Sequence, residues 1–229
     1  MAGSMRDIVV LVDVDNTLLD NDLIRSRLGE ALADALGEEH ADRFWEIYEA
    51  VREESDFVDF PHTIERFGRE CPDTGCVGRV SAVLYDFPFR EFVYPQSLDV
   101  LRHLSSFATS VILSDGDQFF QRYKIRVAGL EEAVAGNVLV YVHKEQEIAD
   151  IKRRFPAWHY VMVDDKPRIH AAMKTALGLE LTTVMVCQGK YANEPAHDDF
   201  PDADITIDSI GDLLTLDAEA LTSLAARDA

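Results

Sequence analysis

Two carboxylates one residue apart, Asp13 and Asp15 in the stretch IVVLVDVDNTLLD, close a run of apolar residues that begins at Ile8. Such a run reads as a strand buried on both faces. Burying one unpaired carboxylate is costly, and burying two together is worse unless positive charge lies between them. Other polar residues stand at the ends of later apolar runs: Ser114 in VILSDGD, Lys144 just after VLVYV, and Asp164-Asp165 after VMV. Hard carboxylate oxygens suit Mg²⁺, which typically takes one or two carboxylates together with waters and phosphate oxygens. The whole set suits phosphoryl transfer. One carboxylate attacks phosphorus, and a second, two residues on, gives a proton to the departing alkoxide and then activates water. Ser114 and Lys144 supply a hydrogen bond and positive charge to the transition state. Singly, each feature has a plainer reading: a turn for Ser-Asp-Gly, a solvated helix start for Lys144, a helix cap for Asp164-Asp165. Their joint occurrence at successive strand ends is what points to a site.

The elements that must position these residues alternate between strand and helix, with one interruption. Leu23, Ile24, Leu28, Ala31, Leu32, Ala35 and Leu36 share a helical face that stops at Gly37, and Phe44, Trp45, Ile47, Tyr48 and Val51 form a second. Shorter helices are expected over residues 63–69 and 77–84. No strand is expected before about Tyr94, so residues 20–94 read as an all-helical insertion. From Pro95 the alternation resumes: helix 96–105, strand 108–116, helix 118–127, strand 138–142, helix 145–154, strand 159–165, helix 167–177, strands 181–187 and 204–207, and a closing amphipathic helix. Near-continuous apolar strands separated by helices imply an α/β protein whose parallel, Rossmann-like sheet is covered on both faces, with residues 5–19 and 95–229 forming the core. Ligands bind beyond the carboxyl ends of such strands, where Asp13, Asp15, Ser114, Lys144, Asp164 and Asp165 all fall. Residues 188–202 read as a polar loop.

Composition narrows the function classes. The 229 residues are 47% apolar, and no apolar run approaches the roughly 18 residues of a membrane span. A formal net charge of −20 offers no basic face for nucleic acid and makes an anionic substrate awkward without a local cation. Residues 1–4 read as an extension ahead of Met5, with no signal-peptide pattern. Cys71, Cys76 and Cys187 make no disulfide framework and read as plain thiols of a reducing cytoplasm.

With these residues in place, the chain resembles the haloacid dehalogenase superfamily, most closely its phosphatase-type members with a helical cap inserted after the first motif. The superfamily's Asp-x-Asp-x-Thr stands as Asp13-Val14-Asp15-Asn16-Thr17, its strand-ending Ser or Thr as Ser114, its Lys as Lys144, and its acidic fourth motif as Asp164-Asp165. The resemblance spans residues 6 to about 214. It implies Asp13 as nucleophile forming an aspartyl-phosphate, Asp15 as general acid and base, Ser114 binding the phosphoryl group, and Lys144 stabilising nucleophile and intermediate. It also implies Mg²⁺ held by Asp13, the backbone carbonyl of Asp15 and an acid of the fourth motif. Matching the apolar run VMV to the family's Gly-Asp form puts Asp165 in the ligand position and Asp164 beside it, orienting Lys144 or a water. Asn16 departs from the Gly of many relatives, and the adjacent acids depart from a Gly-Asp pair.

The expected activity is Mg²⁺-dependent hydrolysis of a small phosphomonoester in the cytoplasm, with neither nucleic acid nor membrane as partner. A metal-independent haloacid dehalogenase would use the same nucleophile, but such members lack a carboxylate at the Asp15 position. A phosphonate hydrolase would need a cap lysine, and the first lysine of the chain is Lys124. A phospho-receiver domain carries its acceptor on a later strand and has no such insertion. A non-catalytic relative is the remaining alternative, opposed by the full set of reactive side chains.

Overall fold

The computed structural model describes residues 8–71, 73, 75–189 and 200–223. Residues 1–4 and most of the loop expected at 188–202 lie outside them. Six parallel strands form one sheet in the order β3-β2-β1-β4-β5-β6: β1 (Ile8–Val12), β2 (Thr109–Asp115), β3 (Val138–Tyr141), β4 (His159–Asp164), β5 (Leu181–Val186) and β6 (Ile205–Ile207). The apolar run of β1 divides its side chains between two cores, as a period of two requires. Val9 and Leu11 pack with Leu113, Tyr160, Met162 and Met173 on one face. Val10 and Val12 pack with Ile112, Val161 and Val163 on the other. Burial on both faces explains why these strands carry so few polar residues until they end.

Between β1 and β2 the chain builds α1 (Asn21–Leu36), α2 (Glu38–Ser55), α3 (Phe60–Glu70) and α4 (Cys76–Tyr85), then α5 (Ser97–Leu104) against the sheet. The segments entering and leaving the helical block run side by side. Asp20 N donates to Phe92 O and Tyr94 N to Leu18 O, each at 2.9 Å, with a bridge between Leu19 and Val93. The block also touches the core through Phe60, whose ring lies 4.4 Å from that of Phe120, and through Val58 O, which accepts from Asp117 N at 3.3 Å.

After β2 come α6 (Phe120–Val127) and α7 (Leu130–Ala133); α8 (Ile148–Arg154) and α9 (Pro167–Leu177) flank β4, and α10 (Ala218–Thr222) is the last element. Several expectations need correction. The helix expected over 145–154 is a 3-10 turn at Lys144–Gln146 followed by α8, and strand β4 stops at Asp164. The short α7 was not expected: four residues are too few for a helical period to show. The closing helix is divided into a 3-10 segment (Ile210–Thr215) with a Ser209/Asp212 capping box and α10. Cys71 and Cys76 are joined as a disulfide, not left as plain thiols. The end of α3 and the start of α4 bring their Cα atoms within 6.4 Å, a proximity that compartment arguments do not detect. Among the described residues, no helix is long and apolar enough to cross a membrane.

Candidate active site

Each carboxyl end of β1, β2 and β4 delivers a polar residue to one crevice. Asp13 follows β1 directly, and its backbone N–H donates to Val163 O at 2.9 Å, which extends the ladder with β4 by one step. Asp13 is 1% exposed and Lys144 is fully buried beside it, with Lys144 Nζ 2.5 Å from Asp13 Oδ1 and 2.6 Å from Asp164 Oδ2. Lys144 reaches this point because its own backbone N–H is held by Asp115 Oδ1 at 2.9 Å, which fixes the turn after β3. A buried ammonium between two carboxylates keeps its proton, and its pKa is raised accordingly by Asp13 and Asp164 against the opposing pull of burial.

Asp164 and Asp165 differ in their surroundings. Asp164 Oδ1 accepts from Lys166 N at 2.9 Å, a cap on the turn into α9. Burial pushes its carboxyl up, but Lys144 and Lys166 pull it further down, to about 2. Asp165 has no hydrogen-bond partner at either oxygen, although the residue is fully buried. Burial first, then the charges of Asp164 and Asp13, raise its carboxyl to about 9. Oxygens of Asp13, Asp164 and Asp165 lie within 4.8 Å of one another. Asp13 Oδ2 is also without a partner. Orphaned, buried hard oxygens at this spacing are the donor set of a divalent cation such as Mg²⁺, so the residues fit the metal expected from the sequence.

Asp15 lies at the edge of the crevice, its side chain 25% exposed. Lys124 Nζ is 2.5 Å from its Oδ1, and Gln121 Nε2 donates to its Oδ2 at 3.1 Å. Burial alone would raise the Asp15 carboxyl, yet Lys124 holds it below its ordinary value. The same Gln121 amide group lies 2.8 Å from Ser114 Oγ and donates to it, so the hydroxyl proton of Ser114 is left to another acceptor; the nearest is Asp115 O at 3.5 Å. Gly116, at φ +136°, makes the turn that brings α6 this close, and a Cβ there would lie 3.3 Å from Gln121 Cβ. Asn16 adopts the left-handed conformation at φ +62°, which accounts for Asn where Gly is common. Its Oδ1 accepts from Asn21 N and Asp22 N, fastening the start of α1.

All six residues expected from the sequence thus meet at one end of the sheet. Sequence reasoning missed Gln121, Lys124 and Lys166. On α6 the buried positions are Phe120, Gln121, Lys124 and Ile125, so two polar residues occupy the phase of an inward face. That mismatch was a readable signal. Lys166 interacts electrostatically with Asp13, Asp164 and Asp165 and follows directly on the acidic pair.

The geometry can be set beside known proteins. No protein-family model matches the chain, and no curated protein matches it. Among solved structures, a haloacid dehalogenase-like hydrolase from Burkholderia xenovorans LB400 is 45% identical, with a TM-score of 0.86 over 93% of this chain and 100% of that one. The chain belongs to the haloacid dehalogenase-like hydrolases. Other members of this fold are more distant. L-2-haloacid dehalogenase from Xanthobacter autotrophicus, solved with chloropropionic acid covalently bound, is 16% identical, with a TM-score of 0.59 over 91% of this chain and 97% of that one. The HAD-hydrolase YfnB from Bacillus subtilis, solved bound to magnesium, is 14% identical, with a TM-score of 0.63 over 92% and 98%. At these identities the likeness shows the shared fold of the haloacid dehalogenase-like hydrolases and not a common substrate.

Proposed function

We propose that this hydrolase cleaves a small phosphomonoester through an aspartyl-phosphate on Asp13, with Mg²⁺ bound. The observation that carries the reading is the pair of orphaned, buried oxygens on Asp165 beside the open Oδ2 of Asp13. A dehalogenase route needs no cation there, and a phosphatase route does. Asp13, the backbone carbonyl of Asp15 and Asp165 would hold the metal, which when bound supplies charge neutralisation for the phosphoryl oxygens.

The chain's own groups divide the remaining work. Lys144 holds Asp13 in place and balances its charge, and Asp13 attacks phosphorus as the P–O ester bond breaks. The electron pair leaves with the alkoxide, which takes a proton from Asp15. A phosphate dianion arriving beside Asp15 raises its proton affinity and favours the protonated form for this step. Asp15, now a carboxylate, removes a proton from water as the water oxygen attacks phosphorus. The bond between phosphorus and Asp13 breaks, inorganic phosphate is released, and Asp13 is restored. Ser114, whose oxygen already accepts from Gln121, has its O–H to give to a phosphoryl oxygen.

Haloacid dehalogenation is the second reading, because Asp13 held by Lys144 serves displacement at carbon equally well. A chromogenic aryl phosphate tests the choice. We expect turnover that requires Mg²⁺ and is abolished by Asp13→Asn. Turnover undiminished by chelator, or halide release from a haloacid with no phosphate release, would overturn the phosphatase reading.

A further inference from the structure

Asp15 is gripped from one direction. Gln121 and Lys124 stand one turn apart on α6 and hold its two oxygens separately, Oδ2 and Oδ1. Neither contact is incidental to a solvated surface, since Gln121 is 6% and Lys124 5% exposed. Each residue also has a second attachment. Gln121 reaches Ser114 Oγ, and Lys124 Nζ lies 3.4 Å from Oδ1 of Asn21, the first residue of α1. A carboxylate held at one oxygen can still rotate about its Cβ–Cγ bond; held at both by a rigid helix, it cannot. The same helix is fixed by Phe120, which packs against Phe60 and Phe89.

We propose that Gln121 and Lys124 are positioning residues that hold the Asp15 carboxylate at the angle proton transfer to the leaving group requires, and that Gln121 keeps this carboxylate in register with Ser114. The inference rests on the acid–base reading of Asp15 given above. Proton transfer depends steeply on donor geometry, and a displacement of about 1 Å can cost a hundredfold in rate. A residue that merely neutralises Asp15 for folding would not affect one class of leaving group more than another.

The test compares p-nitrophenyl phosphate, whose phenolate departs without help, with ethyl phosphate, whose alkoxide needs a proton. The variants are Lys124→Met, Lys124→Arg, Gln121→Leu and Asp15→Asn, with thermal melting confirming that each is folded. Lys124→Met and Gln121→Leu should lower kcat on ethyl phosphate by about tenfold or more beyond any loss on p-nitrophenyl phosphate, with KM little changed. Lys124→Arg should recover part of the loss, and Lys124→Met added to Asp15→Asn should cost nothing further. Equal losses on both substrates, or none, alongside a leaving-group bias in Asp15→Asn, would overturn the positioning role alone. Absence of that bias in Asp15→Asn would overturn the acid–base reading, and the inference with it.

Discussion

Asp164 and Asp165 are consecutive and equally buried, yet Asp164 lies 2.6 Å from the Lys144 ammonium while Asp165 has no partner at either oxygen. The alternation of β4 ends between them, so one carboxylate serves the buried lysine and the other is left without a donor. Asp165→Asn should therefore raise the Mg²⁺ concentration needed for half-maximal activity far more than Asp164→Asn does. In chelator the ranking for stability reverses. Asp165→Asn spares the folded chain the cost of protonating a buried carboxyl that is ionised in the unfolded chain, and should raise the melting temperature at neutral pH. Asp164→Asn takes a partner from Lys144 and should cost about 3 kcal/mol, the low end for a broken buried pair, because Asp13 remains. Titration of Mg²⁺ against activity and urea unfolding in chelator check both halves.

Lys144 is the only ammonium within ion-pair distance of Asp13 or Asp164 among the described residues. Lys144→Met should destabilise the metal-free protein by about 3–5 kcal/mol at neutral pH, because it leaves buried carboxylates facing one another. Saturating Mg²⁺ should recover part of this stability while activity stays lost. Denaturant unfolding with and without the metal reads both.

Phe120 links the helical block to the core through Phe60 and Phe89 and lies next to Gln121. Phe120→Ala should cost about 3–5 kcal/mol as a buried aromatic deletion. It should also raise KM, since the face on which the helical block rests is lost. Calorimetry and steady-state kinetics at a temperature where the variant is folded separate the two effects.

His159, at the start of β4, places Nε2 2.9 Å from Thr182 Oγ1 and leaves Nδ1 without a partner. Burial lowers its pKa below the ordinary 6.5, so the unfolded chain takes up this proton more readily than the folded one. Stability from this group is complete above pH 6.5 and is lost as pH falls through the folded pKa. The urea midpoint of the wild type should fall on acidification below 6.5, and that of His159→Gln should fall less.

The strands and the residues at their ends were legible because burial on both faces leaves little choice of side chain: a carboxylate directly after IVVLV stands out. Helix α9 was readable to the residue, with Pro167 opening it and Gly178 closing it. What escaped were relationships that periodicity does not encode. Lys124 on a short helix looks like any solvated lysine until Asp15 is seen 109 positions earlier in the chain and 2.5 Å away. The Cys71–Cys76 bond depends on how α3 and α4 meet, which a sequence separation of 5 does not announce.

The paired segments at Leu18 to Asp20 and Phe92 to Tyr94 give the helical block a single neck. To the sheet, everything beyond that neck is equivalent to the tip of a hairpin, and closure of such a tip grows only slowly costlier with length, about 0.6 kcal/mol per doubling. Helices beyond the neck can be lengthened, shortened or exchanged in the course of descent while Asp13, Ser114, Lys144 and Asp165 keep their places. The helical block is thereby free to change apart from the crevice, so long as the ribbon and the contacts of Val58 and Phe60 with the core are kept.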